Sequence, residues 1–487
     1  MKFHNWSNFG HDSLQKNVHF FFSSSGALAV WIGYFIISDA NWKCASNSSS
    51  CILNDTLPYS YNHMCHINRT EGFFLEDIDA SIKSHFQLQC GKNWLAHLAA
   101  SILFAGWAIS SLFVSGLADR FGRKVVLFTS LLVLLSSGLI LAFSTTIEMF
   151  VVFRFLMGIA IPGLFQVAFI MLGEITDSKN RVLFINIFQT GQTIALILLG
   201  LVASFVNNWR TLILLTTCPF ALVLITWKTV PESLYWLVLK GRQREFISVI
   251  SKISYWNTRT LPDRTLTSNF AEKKQHSSRL LGLFQSWELK LQTSKALFCW
   301  LVIGMVYYGI GMAADDLTGA FYRDFVIVRS MEIPANICGI YASKRFGRKK
   351  LVTINVMFAS VACILVGAVP PTGNIRFIRL ILGIVGTFCT TLAFHLNIVW
   401  TMELYGTDLR SNAMGASNFT SRLGGALAPW IIKELKHCHP DAPFYLIGGL
   451  GIFCAALLLS LHETKNTPMK NMIDDVMCNE GTTESLL

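Results

Sequence analysis

Arg422 stands in "NFTSRLGGALAPW", where apolar sequence runs on to Trp430 and no acidic residue lies within a turn or two. An ionisable side chain in such a run is costly to place in lipid, so it is first of all a functional hypothesis. Facing a central cavity, an arginine without a carboxylate attracts an anion; near the end of its run it snorkels to the interface instead. An amphipathic organic ion also needs aromatic walls and a few hydrogen-bonding groups. Tyr307 and Tyr308, Gln189 and Gln192, Gln166, and His395 and Asn397 offer these inside other apolar runs. Each of them is also an ordinary interhelical polar contact. Arg329 and Glu332 are three apart and can pair on one helix face.

A second group of charges sits on two similar turns, "GLADRFGRKV" at 116–125 and "YASKRFGRKK" at 341–350. Arg120 and Arg345 are 225 apart (345 − 120), and so are Arg154 and Arg379, which open "RFLMGI" and "RLILGI". Glu-x6-Arg recurs from Glu174 to Arg181 and from Glu403 to Arg410, 229 apart (403 − 174). Landmarks repeated in order signal two related halves, with a site between them near the membrane midplane. On a sharp Gly-bearing turn, Asp119, Arg120 and Arg123, and in the second copy Arg345 and Arg348, can bridge neighbouring helix ends in one conformation and release them in another. They also serve simply as topology anchors. Lys344 replaces the acidic Asp119 in the second copy, which weakens that half of the latch.

Other chemistries are missing from the sequence. No stretch has the Gly-x4-Gly-Lys-Ser/Thr phosphate loop, so no nucleotide is expected. No metal-ligand spacing, nucleophile elbow or His-Glu pair occurs, which points away from an enzyme, a metal or a cofactor. The net charge of +11 lies on no soluble basic stripe and does not point to nucleic acid.

The elements that must hold these residues are membrane helices. The chain is 52% hydrophobic and only 14% charged, against about 25% charged in soluble proteins. A bilayer core takes roughly 20 apolar residues per helix. Such runs lie near 20–38, 94–117, 125–143, 147–172, 182–206, 211–229, 296–314, 318–341, 351–369, 375–402, 411–432 and 442–461. Lys and Arg concentrate in alternate loops, which places those loops and both termini in the cytoplasm. The expected plan is a cytoplasmic terminus at 1–19, a six-helix bundle at 20–229, a cytoplasmic linker at 230–295, a second bundle at 296–461 and a cytoplasmic tail at 462–487. The first outer loop, 39–93, carries Cys44, Cys51, Cys65 and Cys90 and the sequons at Asn47, Asn54 and Asn68. A glycosylated ectodomain in an oxidising compartment is expected, with the disulfide pairing open among three choices.

These features together resemble the major facilitator superfamily, and within it the organic cation/anion/carnitine transporter family, solute carrier family 22. The resemblance rests on the cysteine-bearing first loop, "GLADRFGRK", "GEITDSKNR", "PESLYWLVLKGRQREF", "YYG", "EIPANICGIYASKRFGRK", "TMELYGTDLR" and "HETKNTP". Sugar porters share some of these pieces but carry paired glutamines in helix 7, absent here. The resemblance implies an all-α major facilitator fold of twelve helices in two pseudo-symmetric bundles. It implies plasma-membrane transport by alternating access, with the lipid bilayer, a small organic anion substrate and a counter-transported anion as partners. It makes Glu174, Arg181, Glu232, Glu403 and Arg410 the expected partners of the basic turns. The position of Arg422 is basic in the anion branch and commonly acidic in the cation branch, so the match favours organic anions. Cations, carnitine-like zwitterions, sugars and a transporter-like scaffold stay open. The resemblance is imperfect at Asn336, where anion carriers often have lysine, at Gly406, where proline is usual, and in a short helix 8. There Arg329 supplies the missing positive charge, or transport is altered.

Overall fold

The computed structural model describes residues 42–44, 73–75, 81–88, 92–175, 181–256, 280–312, 315–318, 320–370, 375–405, 407–461 and 463. The expected first span at 20–38, Asn47, Asn54, Asn68, Cys51, Cys65 and Cys90 lie outside them, as does the side chain of Cys44. Two short strands, β1 (Trp42–Cys44) and β2 (Phe73–Leu75), pair antiparallel.

The rest is helical. The short α1 (Ile82–His85) leads into α2 (Asn93–Phe121), α3 (Arg123–Ala142), α4 (Ile147–Ile175) and α5 (Arg181–Phe205). Helix α6 (Trp209–Thr217) tightens into a 3-10 segment (Cys218–Lys228), with Pro219 in its first turn. Proline has no N–H to give and fits best in the first turn of a helix. Two helices, α7 (Leu234–Leu239) and α8 (Gln243–Trp256), pack on each other through Trp236, Leu237, Phe246 and Ile250. The second half comprises α9 (Trp287–Met312), α10 (Asp315–Thr318), α11 (Phe321–Ser330), α12 (Glu332–Arg345), α13 (Arg348–Ala368), α14 (Arg376–Leu404), α15 (Thr407–Cys438) and α16 (Ala442–Leu459).

Among the described residues, ten segments are long and apolar enough to cross a membrane. Helix α15, at 32 residues, is long enough but not among those ten, because its face carries Asn412, Asn418, Thr420, Ser421 and Arg422. The expected eighth span is one segment, Phe321–Ala342, broken at Met331 into α11 and α12. Pro334 causes the break: it cannot donate to the carbonyl of Ser330, and its ring crowds that carbonyl.

Two large apolar cores form among the described residues. One gathers α2 to α6 around Phe128, Phe150 and Trp209; the other gathers α9 to α11 and α13 to α16 around Val302, Val356, Trp400 and Cys454. Tyr308 and Phe325 of the second half pack into the core of the first. Bulky side chains such as Phe113, Phe358 and Phe453 stay exposed on the periphery, where lipid, not water, would meet them. The halves join along α2 and α15, where Ser101 Oγ donates to the Ala426 carbonyl at 2.8 Å and the His97 and Trp430 rings lie 6.2 Å apart. They join again where α5 meets α11 and α12. There, a methyl on Gly200 would come within 2.7 Å of Val326 Cγ2.

Candidate functional site

The residues between the halves start from a close helix crossing. At Gly304 of α9 and Gly424 of α15 any added Cβ would collide with the facing backbone, at the carbonyls of Ser421 and Leu301 respectively. Small residues let two membrane helices approach at backbone distance. Tyr308, one turn beyond Gly304, thereby reaches Arg422, whose Nη1 donates to the Tyr308 hydroxyl. The Arg422 guanidinium lies 3.6 Å from the centroid of the Trp107 ring, with the Tyr308 and Phe394 rings at 5.6 and 6.0 Å. Arg422 is only 4% exposed, so it is turned inward rather than snorkelling. No carboxylate pairs with it among the described residues.

One residue away, Tyr307 serves the opposite charge. Its hydroxyl donates to Glu332 Oε1 at 2.9 Å. The same carboxylate pairs with Arg329 Nη1 at 2.6 Å and accepts from Thr193 Oγ1 of α5 at 3.0 Å. Arg329 and Glu332 flank the Met331 break, so the discontinuity in the helix lies at its buried ion pair. Glu332 therefore joins α5 of the first half to α9 and α12 of the second. Asn336, one turn beyond Glu332, is 2% exposed, and neither its Oδ1 nor its Nδ2 has a hydrogen-bond partner among the described residues.

The other polar residues singled out in the sequence are dispersed around this centre. Gln166 Nε2, Asn397 Nδ2 and His395 Nδ1 are buried without a hydrogen bond among the described residues. His395 follows Phe394, whose ring lies tilted 5.7 Å from that of Tyr307, and Gln166 follows Phe165, whose ring lies 6.5 Å from Trp107. Gln189 is buried and its carbonyl accepts from Thr193 Oγ1 at 3.4 Å; Gln192 is half-buried. Buried polar groups are normally satisfied.

The basic turns assemble separately, each within its own half. Arg123, 5% exposed, pairs with Asp119 at 2.7 Å and Glu174 at 3.2 Å. Ser233 Oγ donates to the other oxygen of Glu174. Glu232 accepts the backbone N–H of Arg123 at 2.9 Å and of Lys124 at 3.1 Å, satisfying the first orphan donors of α3. Gly122 makes this approach feasible: its φ of +109° suits glycine, and a Cβ there would stand 2.5 Å from Glu232 Oε2. Burial raises the Glu174 carboxyl above its ordinary value, against the opposing pull of Arg123 and Ser233. Arg120 is turned outward over the Phe121 ring at 5.3 Å and takes no part in this cluster. In the second half Arg348 pairs with Glu403 at 3.2 Å, while Arg345 lies exposed with the Phe346 ring 6.0 Å away. The side chains of Arg181 and Arg410 lie outside the described residues.

Several contributors escape a reading of the sequence. Trp107, Phe394 and Thr193 are single aromatic or hydroxyl residues in apolar runs and carry no local signal. Glu463 did carry one. It stands 231 after Glu232 (463 − 232), accepts the Lys349 N–H at 3.5 Å, and faces Gly347 as Glu232 faces Gly122.

The sugar (and other) transporter family matches residues 43–474. Human organic cation/carnitine transporter 2 is 30% identical over 84% of this chain and 74% of its own length. Human solute carrier family 22 member 13 is 30% identical over 81% and 71%. Among solved structures, the major facilitator proton:xylose symporter XylE bound to 6-bromo-6-deoxy-D-glucose superposes with a TM-score of 0.66 at 17% identity, covering 94% of this chain and 98% of that one.

Proposed function

The chain belongs to the sugar (and other) transporter family and, within it, to solute carrier family 22, and from that premise we propose that it carries small organic anions across the plasma membrane by alternating access. The observation that carries this reading is Arg422, buried between the halves with aromatic faces and a tyrosine hydroxyl but, among the described residues, no carboxylate. Taking an ion out of water costs several kcal/mol. A desolvated cation–π contact returns about 2 kcal/mol and a charged hydrogen bond about 1.5–3 kcal/mol. A bound anion supplies the remainder. Counting Arg422, Arg329 and Glu332, the described centre has a formal charge of +1, which favours a monovalent anion.

In this proposal the basic turns face the cytoplasm and the Glu174 and Glu403 clusters brace the two halves as rigid bodies. An exchanged anion or an ion gradient supplies the energy. Uptake of labelled monocarboxylates, quaternary ammonium ions, betaines and sugars into proteoliposomes tests the assignment: saturable carboxylate uptake supports it. Uptake confined to betaines favours the second reading, a zwitterion with its carboxylate on Arg422 and its ammonium toward Glu332. That reading draws on the Tyr307–Glu332 bond and on the carnitine named in one relative. A well-inserted protein inert to all four classes supports the scaffold reading.

A further inference from the structure

The surroundings of Arg329 are those of a bound organic cation. Its side chain is 1% exposed, its guanidinium stands 4.8 Å from the Tyr307 ring centroid and 5.6 Å from that of Phe325, and its counter-ion is Glu332 at 2.6 Å. A carboxylate flanked by two ring faces, out of contact with water, is how a protein recognises an ammonium or guanidinium ligand. Glu332 is itself fixed from two other helices by the Tyr307 and Thr193 hydroxyls, so its position does not depend on Arg329 alone. Arg329 arrives from α11, across the Pro334 break, and fills the place.

We infer that Glu332, Tyr307 and Phe325 form a cation site that the chain occupies with its own Arg329, and that this residue excludes small organic cations from the transport pathway. Arg329 is on this account a specificity-determining residue. Its removal leaves Glu332 as a buried carboxylate with only neutral donors, a state that a matching cation relieves. The ligand class is an alkylguanidinium or alkylammonium small enough to fill the vacated volume. Ethylguanidinium is the fragment lost in Arg329→Ala, and ethylurea is its uncharged isostere.

The inference goes beyond the anion reading and is tested without it, since the readout is cation binding by purified protein in nanodiscs. Arg329→Ala should bind labelled ethylguanidinium saturably and at least about tenfold more tightly than the unsubstituted protein, a difference of about 1.4 kcal/mol. Ethylurea should not compete. Arg329→Ala/Glu332→Gln should lose that binding. If Arg329→Ala proves unstable, millimolar ethylguanidinium should raise its melting temperature while ethylurea leaves it unchanged. Equal ethylguanidinium affinity in Arg329→Ala and the unsubstituted protein overturns the inference, as does binding that survives Glu332→Gln or an unstable variant that ethylguanidinium fails to rescue.

Discussion

Tyr307 and Tyr308 are neighbours in sequence whose hydroxyls serve opposite charges: Tyr307 donates to Glu332, and Tyr308 accepts from Arg422. Their rings stand 5.1 Å apart at 88°, so a single residue step of α9, about 100° around its axis, turns from a buried carboxylate to a buried guanidinium. Both charges also touch the first half, Glu332 through Thr193 and Arg422 through Trp107. A substrate that binds either one therefore acts on the contact between the halves, which is the step alternating access requires.

The two tyrosines are expected to differ in consequence. Hydrogen bonds to charged groups contribute about 1.5–3 kcal/mol, so Tyr308→Phe should raise the KM for anion uptake about tenfold by loosening Arg422. Tyr307→Phe should leave anion KM within about twofold and instead lower stability, because Glu332 loses a donor. Uptake kinetics and thermal unfolding on the same preparations separate the two. Identical effects from both substitutions would contradict a division of labour.

Gly304 and Gly424 set the distance on which the site depends. Gly424→Ala forces α15 away from the Leu301 carbonyl and Met305 N, at a cost of about 1–3 kcal/mol for overpacking. A lower melting temperature together with weakened anion uptake is expected. Gly116→Ala, where nothing lies within 4 Å, should alter neither.

The Arg123 cluster gives a pH prediction. Because burial raises Glu174, it takes up a proton at a higher pH than an ordinary glutamate. The cost of holding its carboxylate buried is absent below the ordinary pKa and fully present above the raised one. As pH falls through the raised value that cost is relieved, the closed cluster is favoured over a form that opens Glu174 to water, and accessibility of cysteines introduced near Gly122 should decrease. Glu174→Gln should fix that accessibility across the same range. A pH response that persists unchanged in Glu174→Gln would assign it elsewhere.

We propose that the 39–93 loop lies outside the cell and carries glycans on its sequons. Enzymatic removal of N-linked glycans should increase gel mobility, and joint substitution of Asn47, Asn54 and Asn68 should abolish the shift. A surface protein without glycan on any of the three would contradict that orientation or the use of the sequons.

Much of the frame was legible because membrane helices announce themselves by length and apolarity, and because the two halves repeat Arg123 and Arg348, Glu174 and Glu403 at nearly one spacing. Arg422 was legible for the same reason that it is costly: a charge in an apolar run stands out. Tyr308 was legible beside it as an aromatic residue in an apolar run, but Trp107 and Phe394 were not, since they come from helices far apart in sequence and meet Arg422 only after packing. The break at Met331 was written in "EIPAN", yet hydropathy runs straight through a proline. The exposed Arg120 and the buried Arg123 look alike in sequence; the turn at Gly122 decides which faces Glu174.

The central claim is that Arg422 draws the substrate. A monovalent anion about 4 Å away gains roughly 4 kcal/mol at an effective dielectric near 20, before desolvation is set against it. The direct measurement is the initial rate of labelled monocarboxylate uptake into proteoliposomes holding equal amounts of each variant. Arg422→Ala should reduce kcat/KM at least about a hundredfold, Arg422→Asp should abolish uptake, and Arg422→Lys should retain part of it. Arg422→Ala transporting the anion with unaltered KM and rate would contradict the account.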